Sequence, residues 1–162
     1  MPDGVTVDRL DAAILDLFAA EPRIGVLEAS RRLRLARGTV QARLDKLASR
    51  GIVIGWGPEI DTGALGFPVT AFVTLEIAQP GHDAIGGRLA GIPEVLEVHT
   101  ITGNGDLLCR VVARSNADLQ RVIDEVIATD GVERTSTVIA LATQVAHRVL
   151  PLVTSAATSA DG

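Results

Sequence analysis

The sequence predicts an α+β protein in two parts, a three-helix head followed by a body built in the order βαββαβ. Three observations carry this. Apolar residues in the first fifty positions recur at spacings of three and four, the helical period. From Phe67 onward the period drops to two wherever Val, Ile and Thr cluster, as in strands. Charge divides near the same place: residues 1–55 hold nine Lys/Arg against seven Asp/Glu, and residues 56–162 hold six against thirteen. A positive head on an acidic body is expected of two parts with different partners.

The head begins at Asp8, an N-cap with Asp11 three residues on to complete a capping box. Leu10, Ile14, Leu17 and Phe18 then share one helical face, and Pro22 ends the helix. Gly25 starts the next, with Val26, Ala29 and Leu33 inward. Arg34-Leu35-Ala36 forms a turn, and a third helix runs from about Arg37 to Ser49 before Gly51 stops it. Ile52 to Ile60 is β-rich but broken by Gly55, Gly57 and Pro58, and is expected to be a strand serving as wing or linker. Trp56, the only Trp, fits a packing role at the junction.

In the body, Val69, Ala71, Val73, Leu75 and Ile77 alternate with polar neighbours along a first strand. Ile85, Leu89 and Ile92 mark a helix that Gly91 and Pro93 end. Strands are expected over Val95–Thr102 and Asp106–Ala113, with Asn104-Gly105, a strong hairpin signal, between them. Leu119, Val122, Ile123, Val126 and Ile127 form an amphipathic helix from Ser115 or Asn116, stopped at Gly131. Val132–Val145 is expected to be strand, Arg148–Val153 to add a short one, and Thr154–Gly162 to be a disordered tail. The order is the split βαβ, or ferredoxin-like, arrangement. The expected boundaries are thus a head at 1–51, a β linker at 52–66, a body at 67–153 and a tail at 154–162.

The stretch Glu28–Arg50 holds seven Lys/Arg against two Asp/Glu, a net of +5 inside a chain of net −5. A basic helical pair in an acidic protein fits a polyanion, although a solvated amphipathic hairpin would carry the same charge. With Val40, Leu44 and Leu47 turned inward, Arg37, Gly38, Thr39 and Gln41 start the third helix where a helix-turn-helix meets base edges. Arg suits guanine and Gln suits adenine, each by two hydrogen bonds. Arg43, Lys46 and Arg50 lie further along, where phosphate contact is expected.

Composition narrows the classes. Three Phe, one Trp and no Tyr argue against single-strand binding by stacking on aromatics. One Cys excludes an intrachain disulfide and a CxxC metal site, and Cys109, mid-strand, reads as a buried small hydrophobe. His82, His99 and His147 lack metal-ligand spacing, so no metal is assigned, and no cofactor is implied. The start MPDGVTVDRLD lacks the features of a signal peptide, and no apolar run approaches a membrane span. A soluble, cytoplasmic protein is expected. No GxSxG pattern is present.

Several short motifs in this order resemble the Lrp/AsnC, or feast/famine, family of transcriptional regulators. They are Leu10-Asp11-x-x-Ile14-Leu15, Arg43-Leu44-x-x-Leu47-x-x-x-Gly51-Ile52-Val53, Leu65-Gly66, and the hairpin Thr102-Gly103-Asn104-Gly105-Asp106, which matches the family's Gly-Asp-x-Asp loop. The resemblance spans about Val7 to Val153. Departures are Arg34 where the family often has Gly, Ala36 where it often has a capping Ser, and Asn104 and Gly105 in the hairpin. The lost cap costs about 1 kcal/mol.

The resemblance implies a regulator that binds a palindromic double-stranded operator, dimerises through its β body, assembles further into an octamer or other higher oligomer, and binds an amino acid between subunits. The βαββαβ order puts both helices on one side of the sheet, so the other face is bare unless a partner covers it. The effector site is expected at Thr102, Gly103, Asn104, Gly105 and Asp106; Thr135, Ser136 and Thr137 offer hydroxyls near a neighbouring subunit's hairpin, with Thr135 and Thr137 the candidates to contribute. An ordinary type I′ turn and plain β propensity are the competing readings of these residues. Two other functions share the build: an enzyme of the sirohaem-decarboxylase type, needing His and Arg around a tetrapyrrole, and a structural oligomer with a vestigial head.

Overall fold

The computed structural model describes residues 7–78 and 82–159; the first six residues of the expected head and the last three of the expected tail lie outside them. The described chain divides into two compact units, one of residues 7–59 with 145–159, the other of 60–144. Among the described residues no helix is long and apolar enough to cross a membrane.

The first unit holds α1 (Arg9–Ala20), α2 (Val26–Leu33) and α3 (Arg37–Ser49). The capping box forms as expected: Asp11 N–H donates to Asp8 Oδ1 at 2.8 Å, and Asp8 N–H to Asp11 Oδ2 at 3.3 Å. Ile14, Ala29, Val40 and Leu44 make the core, flanked by Leu10, Leu17, Phe18, Val26 and Leu33. Arg34 turns the corner between α2 and α3 in the left-handed region, φ 56° and ψ 43°, and Ala36 gives α3 no side-chain cap. Gly51, at φ +71°, closes α3 with a Schellman motif: its N–H donates to Ala48 O, and Ile52 N–H to Leu47 O, both at 2.9 Å.

The expected strand at Ile52–Ile60 is not formed. Strand backbone needs a neighbour for its N–H and C=O groups, and among the described residues no strand pairs with this stretch. Ile54 is 94 % exposed and Ile60 69 %. Trp56 does pack, its ring edge-on to Phe18 with centroids 5.7 Å apart.

The second unit holds β1 (Val69–Ile77), α4 (His82–Leu89), β2 (Val95–Thr100), β3 (Leu107–Ala113), α5 (Asn116–Ile127) and β4 (Val132–Ala140). The sheet is antiparallel in the order β2-β3-β1-β4. Ala71, Val73, Leu75 and Ile77 face α4 and α5 together with Leu107, Cys109, Val111 and Ala113, and form the core with Ile85, Leu89, Leu119, Val122 and Val126. The opposite face carries Phe72 and Val138, paired across β1 and β4 and 37 % and 63 % exposed.

The C-terminal expectations are overturned. β4 stops at Ala140, not Val145, because its only neighbour, β1, begins at Val69 and pairs no further than Thr70 with Ala140. In place of a short strand and a disordered tail, Leu150–Ser159 forms a helix, α6, packed on α1 in the first unit. Pro151 sits in its first turn, where an N–H is not needed, and Ala157 is only 1 % exposed. Ala157→Glu would place a carboxylate in that contact. It should release α6 and lower unfolding free energy by about 1–3 kcal/mol; an unchanged denaturation midpoint would show that α6 adds nothing to stability.

Candidate nucleic-acid interface and ligand cleft

Helix α3 turns Val40, Leu44 and Leu47 inward and leaves Arg37, Gly38, Thr39, Gln41, Lys46 and Arg50 exposed. Two cations of the basic window are paired on α2, Arg32 with Glu21 and Glu28, and Arg31 with Glu28. Arg34, Arg37, Lys46 and Arg50 form no ion pair among the described residues. These cations, on α3 and the turn before it, are available to a polyanion. Arg34 is absent from the sequence-derived site. Its signal was the departure from Gly in the turn, which puts a long cation at the entrance to α3.

Two expected contact residues are already engaged. Arg43, expected on phosphate, instead reaches back to α1: its Nη1 donates to Asp8 and, at 2.8 Å, to Asp11. Asp11 is 3 % exposed, so Arg43 neutralises a buried carboxylate. The hydrogen bond to Asp8 holds the Arg43 guanidinium above its ordinary pKa and the Asp8 carboxyl below the usual carboxylate range. A guanidinium so held is already engaged inside the head. Gln41 donates from Nε2 to Asp45 Oδ1 at 2.8 Å. It stays on the exposed surface, beside a groove lined by Phe18, Val26, Leu44, Ala48 and Trp56.

In the second unit the β2–β3 connection is a six-residue loop, 101–106, rather than a two-residue type I′ turn. That turn requires positive φ at both central residues; Gly105 has φ +108°, and Asn104 is not in the positive region. Asp106 is tied to the sheet. Its N–H donates to Leu75 O at 2.8 Å, and its Oδ2 accepts from Ile77 N–H at 2.9 Å, where β1 is irregular between Glu76 and Ile77. This explains an acid at this position without a ligand.

Beside the loop lies a cleft of about 150 Å³ lined by Thr74, Glu76, Asn104, Arg134, Thr135 and Ser136. Of the expected effector residues, only Asn104 and Thr135 line it. Thr102 and Gly103 are exposed in the loop. Gly105 packs beneath, a Cβ there falling 2.4 Å from Thr74 Cγ2. Thr137 pairs with Val73, on the helix-covered face. Ser136, beside them on the last strand, lines it too, and the residues missed were Thr74, Glu76 and Arg134; the register pairs Thr74 with Ser136 and Glu76 with Arg134 on the open face. Alternation placed each on a strand face, but only the register brings the two strands together.

A helix-turn-helix head with unpaired cations on its third helix, joined to a sheet domain with a polar cleft, defines a DNA-binding regulator with a ligand domain. Residues 7–54 match the profile described as winged helix-turn-helix DNA-binding, and residues 70–150 that of the Lrp/AsnC ligand binding domain. The chain belongs to the Lrp/AsnC family and is a transcriptional regulator. It is 28 % identical over 148 residues to the HTH-type transcriptional regulator FL11 of Pyrococcus horikoshii, covering 91 % of this chain and 98 % of that one. The AsnC structure from E. coli superposes with TM-score 0.79 at 25 % identity, over 90 % of this chain and 99 % of that one. The feast or famine regulatory protein of M. tuberculosis, complexed with L-methionine, does so with TM-score 0.77 at 29 % identity, over 88 % and 97 %.

Proposed function

We propose that this regulator binds a palindromic operator through α3 and that an amino acid bound to the second unit changes its assembly or its DNA affinity. The observation that carries the DNA reading is the set of exposed cations without acidic partners, Arg34, Arg37, Lys46 and Arg50, clustered on α3 and the turn before it. Arg37, Thr39 and Gln41, with Gly38 allowing close approach, read bases; Gln41 must leave Asp45 to do so. Lys46, Arg50 and Arg34 hold phosphates. The amino-acid reading is supported by the L-methionine complex of the M. tuberculosis relative and by the cleft beside Asn104.

The protein acts in the cytoplasm as a homodimer at least, and dimers join into an octamer or similar ring. The open sheet face supports this, since Phe72, Leu96 and Val138 stay exposed within one chain and an apolar face of that kind favours a partner. Two-fold symmetry in turn matches a palindromic site. The sirohaem-decarboxylase alternative has no comparable support, since FL11, the relative above, is named a transcriptional regulator.

The test is footprinting on the protein's own upstream region, with and without a panel of amino acids, followed by titrations at several salt concentrations. Lys46→Ala should weaken all sequences alike and flatten the salt slope by about one unit, whereas Gln41→Ala should relax preference at one base pair by about 1–3 kcal/mol. A Lys46→Ala variant that changes selectivity while Gln41→Ala does not would reverse the assignment.

A further inference from the structure

We infer that Asp45 is a base-reading residue of α3, accepting from the exocyclic amine of a cytosine next to the adenine that Gln41 reads. This rests on the DNA reading above and adds a residue that it leaves out. Asp45 is the only acid on α3, among Arg37, Arg43 and Lys46. Its carboxylate has one hydrogen-bond partner among the described residues, and that partner is neutral: Gln41 Nε2 donates to Asp45 Oδ1 at 2.8 Å. Asp45 is exposed, on the side of the helix opposite Val40, Leu44 and Leu47, in a row with Gly38, Ala42 and Ser49 at helical spacing. No long side chain stands in that row. A groove met on that side therefore receives the Asp45 carboxylate at its floor and not at its phosphate rim.

Reading adenine takes Gln41 off Asp45, because the amide then gives its hydrogen bonds to the base. The carboxylate is left without a donor against a polyanion. A base edge that offers none leaves it desolvated and unpaired, which costs affinity. Cytosine presents an amine with no acceptor beside it in the major groove, and a carboxylate accepts from that amine. The two residues thus read as a unit. Where adenine and cytosine are both present, each side chain exchanges its partner for a base. Where cytosine is missing, Gln41 falls back on Asp45, and the adenine preference weakens with it. The competing reading is a helix-surface pair, since Gln and Asp four residues apart stabilise any helix. Gln120 and Asp124 make the same contact on α5 in the second unit, also at 2.8 Å. That pair is the control, with the same chemistry away from the recognition helix.

The test is a titration of the full-length protein against duplexes carrying the site it protects in footprinting, with base pairs changed singly and in adjacent pairs. Wild type should lose about five-fold or more when one cytosine is replaced, and the loss at the neighbouring adenine should shrink once that cytosine is gone. Asp45→Ala should lose the cytosine preference and make the adenine preference independent of it. Asp45→Asn should prefer adenine where wild type prefers cytosine, because an amide suits adenine; a helix-stabilising role would not switch a base. Asp124→Ala should leave every preference unchanged. Asp45 is exposed, and unchanged melting curves would confirm that its variants are folded. A wild type without the cytosine preference, or an Asp45→Ala variant that keeps it while binding all sequences more tightly, would overturn the proposal. Asp45 would then only repel phosphates, with the DNA reading intact. Failure of wild type to protect any site would overturn the DNA reading and the proposal together.

Discussion

Gly105→Val is expected to destabilise the second unit by about 2–6 kcal/mol and to abolish ligand binding. Two independent costs meet at this position. The backbone stands at φ +108°, outside the regions open to a β-branched residue, and holding it there costs about 1–3 kcal/mol. A Cβ would also lie 2.4 Å from Thr74 Cγ2 and 3.1 Å from Leu75 O, an overpacking worth about another 1–3 kcal/mol. Leu75 O cannot easily yield, because it accepts the hydrogen bond from Asp106 N–H. Gly103 is the control. Its φ is +104°, yet a Cβ there meets nothing within 4 Å, so Gly103→Val should incur the backbone cost alone. Equal loss in both variants, measured by chemical denaturation, would mean that the contact with Thr74 contributes nothing.

Arg43→Ala is expected to weaken binding to every DNA sequence, through the head's stability and not through a lost phosphate contact. Removing one partner of a buried pair costs about 3–5 kcal/mol when both are enclosed. Here Asp11 is enclosed, but the Arg43 and Asp8 side chains are 28 % and 44 % exposed, so about 2–4 kcal/mol is expected. The salt slope of the folded fraction should stay at the wild-type value, whereas Lys46→Ala shifts it. Asp11→Asn in the same chain should restore part of the stability, because no buried carboxylate is then left unpaired. A slope reduced by one unit with the melting temperature unchanged would return Arg43 to the phosphate backbone.

The same pair sets an acid response. Asp8 has a lowered pKa in the folded head, chiefly through its hydrogen bond from Arg43. A depressed carboxyl adds stability that is present above its unfolded pKa, near 3.9, and is lost as pH falls through the folded value. The head should therefore lose stability below about pH 4, and the loss should shrink in Arg43→Ala. Raising the pH above neutrality should leave this contribution unchanged.

The helices of the head were legible because their signals are local. The Asp8–Asp11 box, the Val40-Leu44-Leu47 stripe and the stop at Gly51 each lie within a few residues, and the structure places α3 at Arg37–Ser49. The body's strands and its amphipathic α5 were legible for the same reason, as alternation and helical period are properties of short windows. Family membership followed from the order of such pieces, and both profiles match it.

What local sequence leaves open is where a charged or polar group finds its partner. Arg43 reads as one more basic residue on a basic helix, but its carboxylates lie 35 and 32 positions earlier. Asp106 reads as a ligand acid in a hairpin, but its carboxylate accepts a hydrogen bond from a backbone N–H 29 positions away. The segment 150–159 has no charge and no helical stripe to announce it, and it becomes a helix where α1 offers a surface. The stretch 52–60 has strand composition but, among the described residues, no strand beside it, and a ladder cannot form from one side. The sequence by itself determined the three helices of the head, the βαββαβ order of the body and the family. The tertiary structure decided which charges are already neutralised and which remain available, because pairing depends on distance in space between residues far apart in the chain.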